Sequence, residues 1–149
     1  MIFVSELVAA QIQKAPLDRY SQRIGSVGSG KWERIPVNDT AYFMARPGEG
    51  IWYLGGSGTA SRKYVRSGWG ITMTKEENDS YTYQFSQWKR DMCDGQCIVK
   101  KSDGEYRVIL YRLDSPSHSH SRPATTSEKA LIDSQIRRID ILKTLYRGK

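Results

Sequence analysis

The spacing of hydrophobic positions changes along this chain, and the change predicts helices at both ends with a sheet between them. Near the start, apolar residues recur every three or four positions from Val4 to Ala15, which is the period of an amphipathic helix. A second short run with the same spacing ends at Ile24. Residues 1–24 are therefore predicted to be an N-terminal helical segment.

Residues 32–113 have the composition and the shorter period of extended chain. In the clearest run, apolar Tyr81, Tyr83 and Phe85 alternate with polar side chains. The predicted strand runs are 41–45, 50–54, 81–88, 97–101 and 105–113. Turn residues separate them, so the runs predict an antiparallel sheet of about five strands.

The last part of the chain returns to helical spacing. Its apolar stripe consists of Ile132, Ile136, Ile139, Leu142, Leu145 and Tyr146. Thr125 and Glu128 have the three-residue spacing of a capping box, which places the start of the helix near Ser127. Residues 126–147 are predicted to form a long amphipathic helix that packs on the sheet. Dimerisation of two copies through the same stripe is the alternative.

Together these elements predict an α+β fold in a single domain, 1–149. A chain of 149 residues can bury a hydrophobic core without disulfides or metal. No apolar run approaches the roughly 18 residues that a membrane span needs. The first residues lack a basic region and are interrupted by Glu6, so we expect a cytoplasmic protein without a membrane partner.

Charge adds a class of ligand to this picture. The chain has 23 Lys and Arg against 16 Asp and Glu, a net charge of +7, which favours nucleic acid or a phosphorylated nucleotide as partner. Residues 51–90 have the highest ratio of cations to acids, six against three. This region overlaps the glycine-rich stretch 46–70, of which 55–70 is predicted to be a long loop.

The stretch 46–70 combines cations, aromatic rings and glycine. Its candidate ligand-binding residues are Trp52, Tyr53, Arg62, Lys63, Tyr64, Arg66 and Trp69. Cations neutralise phosphates, flat rings stack on bases, and glycine lets the backbone approach a ligand closely. The leading hypothesis is a basic domain that binds RNA, another nucleic acid or a nucleotide phosphate. The alternative for the tryptophans and Tyr53 is a place in the core.

The two histidines lie close together after the last predicted strand. His118 or His120 could act with an acid such as Glu105, and with Arg62 or Arg66, in metal-independent RNA cleavage. A small ribonuclease or nucleotide-acting enzyme is therefore the second hypothesis. An exposed histidine pair in a Ser/Pro loop without catalytic function is the simpler interpretation, so the residues leave enzymatic activity open.

Cys93 and Cys97 could in principle join His118 and His120 in a zinc site. The cysteine spacing is acceptable, but the histidines are closer together than the usual zinc motifs place them. Two thiols beside the Asp94-Gly95 turn are the better interpretation. We therefore expect no metal and no cofactor.

Overall fold

The computed structural model of the chain describes residues 31–147. Within that range, eight strands are followed by one helix. The elements are β1 Glu33–Pro36, β2 Tyr42–Arg46, β3 Ile51–Ala60, β4 Lys63–Lys75, β5 Tyr81–Lys89, β6 Met92–Lys100, β7 Tyr106–Arg112, β8 Ser115–Pro123 and α1 Thr126–Arg147. Each strand pairs antiparallel with the next, so the order in the sheet is the order in the chain.

The predicted α+β class is wrong, because the described part of the chain is mainly one antiparallel sheet with a single helix at its end. The sheet has eight strands and not about five. The segment 55–70, predicted as a loop, lies almost entirely in β3 and β4, and the Ser/Pro/His segment forms β8. The N-terminal helix predicted for 1–24 lies outside the described residues.

Two of the missed regions share a physical cause. β8 and the outer part of the β3–β4 hairpin have mainly small or polar side chains, so the alternation that marks a half-buried strand is absent there, although the backbone pairs normally. The inner part of β4 does alternate, with Trp69, Ile71 and Met73 on the helix face, and this signal was overlooked. β8 also contains Pro116 and Pro123, which a central strand does not tolerate. β8 is the last strand of the sheet, where one side of the backbone needs no hydrogen-bonded partner strand.

Two glycines in the β3–β4 hairpin make room for a buried ring. A Cβ atom at Gly55 or Gly70 would overlap the side chain of Tyr53. Tyr53 is fully buried, and its hydroxyl donates to the carbonyl oxygen of Gly56 at 2.8 Å. The pairing register shifts between Gly55 and Ser57, and a bulge of this kind bends the strand.

Both faces of the sheet bury side chains. On the helix face, Phe43, Leu54, Ile71 and Phe85 pack with Ile132, Ile136 and Ile139 of α1. On the opposite face, here called the second face, the buried cluster contains Trp32, Met44, Tyr53, Trp88, Cys93 and Cys97. The bent outer part of the β3–β4 hairpin contacts the second face, where the Arg34 guanidinium donates to Ser57 Oγ at 3.2 Å.

The predicted capping box of the helix is confirmed. The Glu128 amide donates to Thr125 Oγ1 at 3.2 Å, and the Thr125 amide donates to Glu128 Oε1 at 2.8 Å. The apolar stripe of α1 from Ile132 to Leu145 packs against the sheet, so it is used within one chain. Among the described residues, no helix is long and apolar enough to cross a membrane.

Candidate functional site

The structure separates the seven candidate ligand-binding residues of the 46–70 stretch onto two faces of the sheet and a hairpin tip. Trp52 and Trp69 are half-buried on the helix face. The Lys143 ammonium lies 4.6 Å from the centre of the Trp52 ring. Trp69 stacks on Phe85, with ring centres 5.6 Å apart and an interplanar angle of 26°. Both tryptophans therefore contribute to the packing between sheet and helix.

Tyr53 and Arg66 lie on the second face and are held by other residues. Burial raises the pKa of the Tyr53 hydroxyl far above its usual value, so this group stays neutral. The Arg66 guanidinium packs 4.0 Å from the Trp88 ring centre and donates to Thr72 Oγ1 at 3.0 Å. A cation engaged in this way is not available to a phosphate.

Asp91 is the residue that holds Arg66 in place. One carboxylate oxygen of Asp91 accepts hydrogen bonds from Arg66 Nε at 2.9 Å, from the Arg66 amide at 3.0 Å and from Trp32 Nε1 at 2.9 Å. The other oxygen accepts from Arg46 at 3.2 Å. This network ties the turn between β5 and β6 to the start of β4 and to the beginning of β1.

Arg62, Lys63 and Tyr64 remain at the exposed tip of the β3–β4 hairpin. Tyr64 keeps 41% of its surface exposed, which is high for a large aromatic residue. The Arg34 guanidinium lies 4.1 Å from the Tyr64 ring centre and 4.2 Å from that of Tyr42. The Tyr64 ring is thus held by a cation–π contact while it is open to solvent.

Three hairpins of the sheet close with the same kind of tight turn. The two-residue turns are Ser61-Arg62, Arg90-Asp91 and Leu113-Asp114. All six residues have positive φ, from 48° to 71°, which is the pattern of a type I′ turn. In an antiparallel meander alternate turns lie at the same end of the sheet, so these three turns share one end. The β3–β4 turn projects beyond the other two, since β4 pairs with β5 only as far as Gly68 and Tyr64 packs on Arg34 of β1.

Two of these turns place arginine where glycine or asparagine is favoured. Arg62 and Arg90 have φ of 65° and 51°. Left-handed backbone costs an ordinary residue about 1–2 kcal/mol. Both side chains are exposed, so neither contributes to the core in return. Strain of this kind often accompanies a functional side chain.

The turn region collects cations that have no acidic partner. The exposed cations at this end of the sheet, here called the basic end, are Arg62, Lys63, Lys89, Arg90 and Arg112. None of the five makes an ion pair with another residue of 31–147. Their positive charge is therefore presented to solvent.

Two carboxylates near the basic end each accept one backbone hydrogen bond, and a third, Asp39 in the β1–β2 turn, is exposed. Asp94 accepts a hydrogen bond from the Leu113 amide at 3.1 Å, and Asp114 accepts one from the Cys93 amide at 2.6 Å. The opposite end of the sheet carries the acidic turns, 76–80 and 101–105. The three tight turns and the residues that flank them thus carry five cations against two acids, whereas the turns 76–80 and 101–105 carry five acids against one cation.

The proposed catalytic residues do not meet in the described part of the structure. Glu105 pairs with Lys101 and Arg107 at the acidic end, at 3.5 and 3.2 Å. His120 lies in β8 next to Ser121, which pairs with Ile109, four residues or about 13 Å from Glu105 along β7. The His120 Nδ1 atom is 2.8 Å from Ser117 Oγ. The side chain of His118 lies outside the described residues.

Cys93 and Cys97 are free thiols buried on the second face. Burial raises the pKa of Cys97, whose thiol hydrogen-bonds to Cys93. The predicted turn at Asp94-Gly95 is wrong, since both residues lie inside β6, where the register with β5 shifts. Within residues 31–147, no group of three or more His, Cys, Asp or Glu side chains could hold a metal ion.

Sequence reasoning missed Lys89, Arg90 and Arg112 as part of a common surface. Their signal was present, since each cation flanks or occupies a turn between two strands. This signal could be used only with the number of strands known, because that number decides which turns share an end.

No family model, curated protein or solved structure matches this chain.

Proposed function

We propose that the chain is a nucleic-acid-binding domain that holds the phosphates of a single strand at its basic end. The observation that carries the proposal is the pair Arg62 and Arg90, two exposed arginines that make no ion pair within residues 31–147 and hold strained positions in turns at the same end of the sheet. Arginine offers a planar fork that matches a phosphate group. Lys63, Lys89 and Arg112 extend the same charged surface.

The spacing of the turns fits a flexible polyanion better than a single phosphate. Neighbouring strands lie about 4.8 Å apart, so the β5–β6 and β7–β8 turns are about 10 Å apart across the sheet, and the β3–β4 turn lies further out. A single strand can follow such a row because its backbone is compliant. The exposed Tyr64 ring beside Lys63 offers a stacking surface for a base, a contact worth about 1–3 kcal/mol in single-strand binders.

RNA cleavage is not part of the proposal, because Glu105 and His120 lie on separate parts of β7 and β8. A cytoplasmic location is part of it. Two unpaired buried thiols agree with a reducing compartment.

The experiment is fluorescence anisotropy with labelled single-stranded RNA and DNA of equal sequence, measured over a range of salt concentrations. The test variant is Arg62→Asn with Arg90→Asn, since Asn tolerates left-handed backbone. We expect weaker binding and a salt slope shallower by about 1.4, the value for two lost phosphate contacts on a single strand. The same variant should be more stable to urea by about 0.5–1 kcal/mol at each position, because strain is relieved.

The matched control removes two exposed cations from the acidic end, Lys75→Ala with Lys101→Ala. It lowers the net charge by the same amount, so its binding should change little. Equal weakening of both variants would show that only the overall charge attracts the strand. Unchanged binding by the arginine variant would overturn the proposal. Comparison of RNA, DNA and free nucleotides identifies the preferred ligand.

A further inference from the structure

A second concave site lies between α1 and the helix face of the sheet, and Asp94 at its edge lies near the basic end. It is a cleft of about 280 Å³. Its apolar walls are Trp69, Phe85, Ile98, Val108 and Leu131. For comparison, an engineered apolar cavity of about 150 Å³ holds benzene. The cleft therefore has room for a bicyclic aromatic ring with a short side chain.

The stacked pair Trp69 and Phe85 contributes two aromatic rings to the wall of the cleft. Their planes are within 26° of each other. Leu131 of α1 completes the wall from the helix side. An aromatic ligand can pack on such rings in offset or edge-to-face geometry. An indole face also attracts a cation, so this wall suits a ring that carries positive charge nearby.

The polar residues of the cleft favour a cation over an anion. Asp94 uses Oδ1 to accept the Leu113 amide, and its Oδ2 has no hydrogen-bond partner among the described residues. Glu128 is already paired with the Arg122 guanidinium, at 2.9 and 2.8 Å. Asp94 is therefore the carboxylate of the cleft whose second oxygen can accept a hydrogen bond from a ligand.

The remaining polar groups of the cleft carry no charge that would select a ligand, apart from the paired Glu128. Gln87 and Gln96 are exposed at the cleft and make no side-chain hydrogen bond with a described residue. The first turn of α1 does not add an anion site, because the Glu128 amide donates to Thr125 Oγ1 in the capping box. The cleft thus presents an apolar aromatic wall with a carboxylate at its edge, in a chain whose net charge is +7.

We propose that this cleft binds a small aromatic amine, with the ring against Trp69 and Leu131 and the ammonium group on Asp94. The proposal does not depend on the nucleic-acid site, which uses other residues and the opposite charge. An amine that binds here leaves the cations of the basic end free.

The test is isothermal titration calorimetry of the full chain with tryptamine and with indole-3-propionate, which have the same ring and opposite charges. We expect tryptamine to bind at least about tenfold more tightly, because a hydrogen bond to a charged group is worth that factor or more. Asp94→Asn keeps the acceptor for the Leu113 amide and should remove the preference. Asp103→Asn is the matched control, since that carboxylate also accepts one backbone amide, from Glu105 at 2.9 Å.

A second variant protects the test against misfolding of the first. Gln87 is exposed, so Gln87→Lys adds a positive charge at the cleft without disturbing the core. It should weaken tryptamine and strengthen indole-3-propionate. Failure of tryptamine to bind the wild-type chain would overturn the proposal. So would tryptamine affinity that is the same in Asp94→Asn, or equal affinity of the two probes.

Discussion

The Asp91 network allows a quantitative test of what holds the second face together. In Asp91→Asn the side chain keeps its shape, and Asn tolerates the φ of 70° at this position. The amide oxygen can still accept from Trp32 and Arg66, but the negative charge is lost. The amide nitrogen then faces Arg46, two donors meet, and the contact that is now 3.2 Å long is broken.

The magnitude follows from the burial of the partners. The side chains of Arg66 and Asp91 are 12% and 21% exposed, so the pair lies between a surface and a buried ion pair. Exposed pairs contribute about 0.2–1 kcal/mol, and breaking a buried pair costs about 3–5 kcal/mol. We expect Asp91→Asn to lower the free energy of unfolding by about 2–3 kcal/mol, the intermediate range.

The assay is urea denaturation followed by tryptophan fluorescence, since Trp32 and Trp88 border the network. With a urea slope of about 2 kcal/mol per molar, the midpoint should fall by about 1–1.5 M. The control is Asp79→Asn, which also has positive φ and pairs with Lys75 at 3.2 Å, but is 83% exposed. It should lose less than about 1 kcal/mol. Equal losses in the two variants would refute the structural importance of the Asp91 network.

Three further predictions concern single positions. Gln135 is fully buried, and neither end of its amide has a hydrogen-bond partner among the described residues. Gln135→Met should therefore raise the free energy of unfolding by about 1–2 kcal/mol, measured by urea denaturation, and a decrease would contradict this. Hydrogen bonds from the Arg122 guanidinium lower the pKa of Glu128 from 4.5 to about 2. The folded pKa is lower than the unfolded one, so ionised Glu128 stabilises the fold above pH 4.5, and this stabilisation is lost as the pH falls towards about 2. The urea midpoint of the wild-type chain should therefore fall over that pH range by more than the midpoint of Glu128→Gln. Gly70→Ala should lower the thermal midpoint by an amount equivalent to about 2–3 kcal/mol, because its Cβ overlaps the buried Tyr53 side chain, and a neutral result would contradict that packing.

Elements with a strong local pattern were predictable. The stripe of α1 and its Thr125–Glu128 capping box can be read from spacing alone, since both depend on residues within a few positions of each other. The alternation in β5 and the aromatic runs in β2 and β3 are local in the same sense. In α1 a single buried face produces the regular period, and in β2, β3 and β5 burial on the sheet selects apolar and aromatic residues within a short run.

The glycines of 55–70 show where local reasoning fails. Glycine is typical of loops, yet Gly55 and Gly70 lie in paired strands because the Tyr53 ring occupies the space of their missing side chains. For Gly70 that requirement comes from a residue 17 positions earlier on the neighbouring strand, and a Cβ at Gly55 would also meet the backbone of Gly70 across the hairpin. Without the pairing register, the sequence cannot distinguish this use of glycine from flexibility.

The candidate site was partly predictable for a similar reason. The cations and rings of the 46–70 stretch were identifiable, and Arg62, Lys63 and Tyr64 are exposed. Arg66 looked equivalent to Arg62 in sequence but is bound by Asp91, which lies 25 positions further along the chain. Whether a cation is free depends on a contact that no local pattern records.

The sequence alone determined the net charge, the terminal helix and the presence of an aromatic, basic, glycine-rich stretch, because these depend on composition or on neighbours within a few residues. Only the tertiary structure decided that this stretch is a bent hairpin, and that its tryptophans and Arg66 are engaged in packing. It also decided that Arg62 and Arg90 share one end of the sheet. The reason is that strand pairing brings together residues far apart in sequence, and both charge sorting and burial follow from that pairing.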